Sequence, residues 1–219
     1  MTRRCCFFCL RKEIKVKPVR LAEYNRKRDF DETPEPRGRA AKSHRQPIFV
    51  IQEHYASRLH YDFRLEADGV LKSWAVPKKP TLSTSVRRLA VRVEDHPLDY
   101  ASFSGQIPKG EYGAGRVEIW DNGTYENLQE DKPSGLSLTK SIKQGHVEVK
   151  LHGRKLKGKF ALVRMHREGK KENWLLIKMR DDDSNGDVKS AKSTKSKTTR
   201  PASAPRTNKR EASNKRKSA

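Results

Sequence analysis

The chain has 219 residues, 33% of them hydrophobic and 35% charged, with 49 Lys+Arg against 27 Asp+Glu and a formal net charge of +22. That is the size of one compact domain with appendages, and no apolar run approaches the ~20 residues that a helix needs to cross a bilayer, which excludes a helical membrane span. Cys5, Cys6 and Cys9 lie too close together to staple a fold, and the apolar stretch around them is too short for a signal sequence. The expectation is a reduced, intracellular protein of the cytoplasm or nucleoid, or of the nucleus in a nucleated cell.

The charge is uneven. Residues 1–48 hold 14 Lys/Arg against 6 Asp/Glu and residues 189–219 hold 11 against 1, while residues 49–188 hold 24 against 20. A near-neutral body with basic flanks suits a protein that gains non-specific affinity for a polyanion by counterion release, and nucleic acid is the expected partner.

In chain order, residues 1–19 form a basic, Cys-containing extension; Cys6-x-x-Cys9 is half a zinc site with no second pair. Residues 20–47 read as an N-terminal arm. A short helix is expected over Arg20–Phe30 with Leu21, Tyr24 and Arg28 on one side, ending before Thr33-Pro34-Glu35-Pro36, because proline pushes its predecessor toward extended geometry. From 48 to 183 the period is two. Strands are expected at Ile48–Glu53, His60–Leu65, Leu71–Val76, Leu89–Glu94, Arg116–Trp120, Val147–Leu151, Phe160–Arg164 and Trp174–Met179, with turns at Asp68-Gly69, Asp121-Asn122-Gly123, Gly153 and Lys157-Gly158. Only Gln129–Lys143 has helical character. Many short antiparallel strands argue for a mainly β fold, an antiparallel barrel of about eight strands. Residues 184–219 read as a disordered basic tail: the last 31 residues contain five apolar residues, all alanine. The basic clusters Lys209-Arg210 and Lys215-Arg216-Lys217 also fit a nuclear import signal.

The informative stretch runs from Glu53 to Glu66. Alternate strand residues share a face, so Tyr61, Phe63 and Leu65 suit a core while His60, Asp62, Arg64 and Glu66 make a wholly polar face, either solvated or lining a site. His60 and Asp62 are spaced to bind one metal ion, with His54 at the end of the preceding strand as a third ligand. Two imidazoles and a carboxylate with open positions suit Mn²⁺, Fe²⁺ or Zn²⁺. Arg64 on the same face offers a planar fork for phosphate. His96, just before Pro97, is placed at a strand rim, where it would contact phosphate or protonate a leaving group, unless it is a surface histidine that caps the strand. Gly110-Glu111-Tyr112-Gly113-Ala114-Gly115 precedes a strand rather than a helix, which argues for a tight turn near substrate rather than a dinucleotide or P-loop site. Trp74, Trp120 and Trp174 read as core.

Several blocks then coincide in order: Arg28-Asp29-Phe30, Thr33-Pro34-Glu35-Pro36, His54-x5-His60-x-Asp62-x-Arg64, Leu71-Lys72-Ser73-Trp74-Ala75-Val76-Pro77-Lys78, Val93-Glu94-Asp95-His96-Pro97-Leu98-Asp99-Tyr100 and Gly110-x-Tyr112-Gly113-Ala114-Gly115. Over about residues 20–180 the chain resembles the 3′-phosphoesterase domain of bacterial DNA ligase D in its stand-alone form, without ligase or polymerase domains. The resemblance implies a manganese-dependent hydrolase of DNA repair by non-homologous end joining. Such an enzyme removes a 3′-terminal ribonucleoside as a phosphodiesterase, then the remaining 3′-phosphate as a phosphomonoesterase, leaving a 3′-OH. It also implies that His54, His60 and Asp62 hold Mn²⁺ or another divalent ion, and that Arg64, His96 and Arg88 bind the substrate phosphate. Lys78, Glu94 and Tyr100 match further functional positions, and Asp29 and Glu35 match acidic residues needed for full activity. The partners implied are DNA 3′ ends and a separate ligase or polymerase, with no membrane, and the enzyme is expected to be a monomer. Two other readings stay open on the residues alone. One is a non-haem Fe(II) oxygenase using the H-x-D…H triad; the other is a non-catalytic barrel that binds DNA through its basic ends.

Overall fold

The computed structural model describes residues 21–39, 41–130, 132–133, 135–165 and 172–181. The expectations for residues 1–19 and 184–219, including the cysteine pair and the basic tail, lie outside the described residues. The elements are α1 (Ala22–Arg26), β1 (Ile48–Tyr55), β2 (Leu59–Ala67), β3 (Val70–Val76), β4 (Arg87–Arg92), β5 (His96–Pro97), a 3₁₀ turn (Leu98–Ser102), β6 (Gly105–Ile107), β7 (Gly115–Asn127), α2 (Leu138–Gln144), β8 (His146–Gly153), β9 (Lys157–Arg164) and β10 (Asn173–Lys178). No helix among them is long and apolar enough to cross a membrane.

All pairings are antiparallel. The strands run β1-β2-β3-β4-β10-β9-β8-β7, and β7 pairs back onto β1, so eight strands close a barrel. β6 adds to β7 and β5 to β3 as short accessories. Closure leaves no edge within the ring for another chain to pair with. The β2–β3 hairpin turns on Asp68-Gly69 as expected, with φ of 53° and 78°, the two left-handed residues of a tight turn that follows the strand twist.

Alternation decides the interior. Phe49, Ile51, Phe63, Leu65, Trp74, Val147, Val149, Leu151, Phe160, Leu162, Trp174 and Leu176 fill the barrel, each burial contributing about 1.5–3 kcal/mol. Trp74 and Trp174 meet edge to face at 5.8 Å within this core, whereas Trp120 is only partly buried against it. A second apolar cluster lies outside the barrel wall, where Leu21, Tyr24, Val50, Leu71, Leu98 and Tyr100 join the arm and the 3₁₀ turn to the outer side of β1 and β3. This cover decides the fate of the polar face of β2, because Asp62 and Arg64 are buried beneath it, while Glu66 is buried against His44 and Ile48, whose N–H groups it accepts.

Three local expectations are corrected. Asp121-Asn122-Gly123 is the middle of the long β7, not a turn: a β-bulge shifts its register against β1, and the Asp121 carboxylate accepts the backbone N–H groups of Arg154, Lys155 and Leu156 at 2.9, 3.1 and 2.7 Å. Gly153 and Lys157-Gly158 end β8 and begin β9, so the turn is residues 154–156 between them. The arm helix is shorter than Arg20–Phe30, although Leu21, Tyr24 and the Arg28 side chain do share its buried side.

Candidate metal centre and its cavity

The register of β1 and β2 sets His54 opposite His60 and Gln52 opposite Asp62, and that of β2 and β3 sets Arg64 opposite Ser73. These outward-facing residues therefore lie side by side on one patch of barrel wall. One ligand atom from each of His54, His60 and Asp62 lies within 4.8 Å of the other two.

The two imidazoles are oriented by backbone carbonyls. His54 Nε2 lies 2.8 Å from Gly113 O and His60 Nδ1 lies 2.9 Å from Arg58 O. A carbonyl only accepts, so each of these nitrogens carries the proton and the other nitrogen of each ring keeps its lone pair. Those free nitrogens face Asp62: His54 Nδ1 is 3.4 Å from Oδ2 and His60 Nε2 is 3.7 Å from Oδ1. His54 Nδ1 is buried with no hydrogen-bond partner among the described residues. Two fixed imidazole lone pairs, one of them buried and unpartnered, and a carboxylate together fit a divalent cation. Burial pushes the Asp62 carboxyl upward, but the Arg64 guanidinium beside it outweighs burial and holds the group well below the usual carboxylate range.

Arg64 is buried and fully oriented: Nε donates to Gln52 Oε1 at 2.8 Å, one terminal nitrogen to Ser73 Oγ at 2.9 Å, and the other to Asp62 Oδ2 at 3.1 Å. Three of its five N–H groups are used, which leaves two for a ligand. His96 lies on β5 beneath the arm and is buried, not at an open rim. Its Nδ1 lies 2.9 Å from Glu94 O, and its Nε2 faces a terminal nitrogen of Arg28 at 3.4 Å. Burial, reinforced by Arg64 and Arg28, pushes its pKa well below 6.5, so the ring is neutral.

Sequence reasoning missed Arg28 as a site residue. Its side chain is 4% exposed; Nε donates to Glu35 Oε1 at 2.9 Å, NH1 to Tyr24 O at 3.1 Å, and the guanidinium lies 3.8 Å from the Tyr24 ring centroid. Its place four residues after Tyr24 on the arm was the available signal. Glu35 also accepts from Thr33 Oγ1 and the Tyr100 hydroxyl, so this carboxylate ties the arm to the 3₁₀ turn. Burial and the neighbouring Glu35 keep Tyr100 protonated to well above pH 10. Glu94 accepts from Lys27 at 3.1 Å.

These groups line one cavity of about 310 Å³, which includes Arg28, Glu35, His54, His60, Asp62, Arg64, Glu94, His96 and Tyr100, with Tyr112 and Gly113 from the glycine-rich loop. Of the residues singled out in the sequence, Lys78, Arg88 and Asp29 are not in its lining. Lys78 is exposed just beyond β3, Arg88 donates to Lys79 O on β4, and Asp29 is exposed on the arm with its backbone N–H on Glu111. Chemically, the arrangement offers a metal site, two buried guanidinium groups and a neutral imidazole in one pocket, the equipment for neutralising and hydrolysing a phosphate ester.

The sequence model of the DNA ligase D 3′-phosphoesterase domain matches residues 52–164. The multifunctional non-homologous end joining protein LigD of Pseudomonas aeruginosa is 51% identical over 163 residues, covering 74% of this chain and 19% of that protein. The corresponding LigD of Mycobacterium tuberculosis is 47% identical over 169 residues, covering 74% of this chain and 20% of that protein, and that of Mycolicibacterium smegmatis is 47% identical over 163 residues. The chain thus spans about a fifth of the length of these relatives.

Proposed function

Because this chain belongs to the DNA ligase D 3′-phosphoesterase domain family, we propose that it is a manganese-dependent hydrolase that heals DNA 3′ ends. It removes a 3′-terminal ribonucleoside as a phosphodiesterase and then the 3′-phosphate as a phosphomonoesterase, leaving the 3′-OH that a separate ligase or polymerase requires. The observation that carries this reading is the convergence of two carbonyl-oriented imidazoles and Asp62 beside Arg28 and Arg64 in one cavity. Guanidinium groups there favour a phosphate substrate over the oxygen chemistry that the same triad serves in non-haem iron enzymes.

In this mechanism His54, His60 and Asp62 would hold the divalent ion, which would supply Lewis acidity. The two unused N–H groups of Arg64 and the cation of Arg28 neutralise the phosphoryl oxygens as negative charge grows. His96 enters neutral, since burial and, after it, Arg64 and Arg28 disfavour its cation; a phosphate anion beside Nε2 supplies the opposite charge, and in this reading the ring takes up a proton with the substrate. It delivers that proton to the departing 5′ oxygen of the terminal nucleoside as the P–O bond breaks. Water's oxygen ends on phosphorus, so one water is consumed and one alcohol released. The second reaction repeats the displacement and releases inorganic phosphate. Glu35, itself held by Tyr100, keeps Arg28 in place, and the exposed Lys78 and Asp29 together with the partly exposed Arg88 contact the strand outside the cavity. The chain acts as a monomer inside the cell.

The test is a 5′-labelled primer on a template, ending in one ribonucleotide, incubated with the protein and Mn²⁺. The expected products are a primer shortened to a 3′-phosphate and then a 3′-OH. An intact primer with Mn²⁺ and with other divalent ions refutes the reading, and turnover only with Fe²⁺ and an oxoacid replaces it with an oxygenase.

A further inference from the structure

Tyr112 stands at the mouth of the cavity and the chemistry so far leaves it unused. It is 47% exposed, with Tyr55 one of two large aromatic side chains left open among the described residues, yet it lines the same pocket as the metal triad. Its loop is well fixed: Glu111 N–H donates to Pro108 O and Ala114 N–H to Glu111 O in successive turns, and Gly110, Gly113 and Gly115 take left-handed or otherwise positive φ. The loop is docked at both ends of the site. Glu111 accepts the backbone N–H of Asp29 from the arm, and Gly113 O accepts from His54. Arm cations flank the ring, with Lys27 Nζ 4.6 Å and the Arg28 guanidinium 5.6 Å from its centroid. The hydroxyl's one hydrogen bond among the described residues is an exposed one at 3.5 Å from Lys27 Nζ.

We propose that Tyr112 is a stacking platform for the nucleobase of the 3′-terminal nucleoside, a specificity subsite just beyond the phosphate-binding floor. An exposed aromatic held rigidly at a phosphate pocket loses little entropy on binding, and every base presents a π-face to it, so the contact is sequence-tolerant. The subsite serves only the diester. A nucleoside lies beyond the scissile phosphate in that substrate, and nothing lies beyond a terminal 3′-phosphate. This inference rests on the phosphoesterase reading above.

The experiment compares kcat/KM of the wild type, Tyr112→Phe, Tyr112→Leu and Tyr112→Ala on three primers: one ending in a ribonucleotide, one ending in an abasic ribose, and one ending in a 3′-phosphate. Loss of base stacking predicts a fall of about 5- to 150-fold for the Leu and Ala variants on the ribonucleotide primer. The fall on the abasic and 3′-phosphate primers is then several-fold smaller, and Phe restores the wild-type value. Equal losses on all three primers, or no loss on the first, or failure of Phe to restore it, overturns the subsite. If the wild type turns over none of the primers, the phosphoesterase reading and this one fall together; turnover with equal losses removes this one alone.

Discussion

Asp62 serves two sides at once, one carboxylate oxygen facing His60 while the other accepts from Arg64 and faces His54. Removing it therefore strands a buried guanidinium, which costs on the order of 3–5 kcal/mol. The His60 side chain is 23% exposed and its proton goes to a backbone carbonyl, so its loss costs little. His60→Ala is expected to abolish Mn²⁺ binding by titration calorimetry with an almost unchanged urea midpoint, and Asp62→Ala to lose both; Mn²⁺ binding retained in His60→Ala contradicts the ligand assignment. His96 sets a pH dependence with a definite sign. Its folded pKa lies below 6.5, so an unfolded chain takes a proton near pH 6.5 that the folded chain refuses. Its contribution is complete above pH 6.5 and is lost as pH falls below it. Between pH 6.5 and 5 the unfolding free energy of wild type should fall more steeply than that of His96→Asn, by up to about 1.4 kcal/mol per pH unit. Parallel curves mean that the ring is not held neutral. The alternation His60, Asp62, Arg64 was legible in sequence because a strand has period two. The burial of that face was not, nor were the proton positions, because both come from Gly113, Arg58 and the arm, which are remote or outside the pattern.

The eight strands that close the barrel are those the alternation marks, because each buries one face in a shared core and must repeat every second residue. β5 and β6 escaped notice: two and three residues are too few to carry a period. Asp121-Asn122-Gly123 misled for a different reason. Its composition suits a turn, but Asp121 serves the turn of another hairpin, and Gly123 is needed because a Cβ there would lie 2.1 Å from His152 O. Local sequence chemistry cannot announce a partner 33 to 35 residues away. Asp121→Ala leaves the N–H groups of Arg154, Lys155 and Leu156 without their acceptor, the last of them buried. It should lower the unfolding free energy by about 2–3 kcal/mol in urea, with the slope unchanged. A loss under about 0.5 kcal/mol means that water replaces the carboxylate at no cost.

At the scale of the whole molecule, the charge is divided between basic flanks and a near-neutral centre, and on the proposed function the flanks would supply phosphate affinity that weakens with salt while the barrel carries the site. The charge division is a matter of counting and was fully legible, whereas the junction of arm and barrel was not. Arg28 and Glu35 on the arm are more than 60 residues from His96 and Tyr100, and the two pairs meet only when the arm folds over β1 and β3. The central claim is that the cavity under this arm hydrolyses DNA 3′ ends with the metal held by His54, His60 and Asp62. It is tested most directly by single-turnover kinetics at fixed ionic strength, titrating Mn²⁺ into wild type, His54→Ala and His60→Ala on a labelled ribonucleotide-terminated primer. The prediction is that wild type saturates with one equivalent of Mn²⁺ and yields the 3′-phosphate before the 3′-OH, while neither variant yields product at any Mn²⁺ concentration. Wild-type rates in either variant, or a 3′-OH formed without a 3′-phosphate precursor, would contradict it.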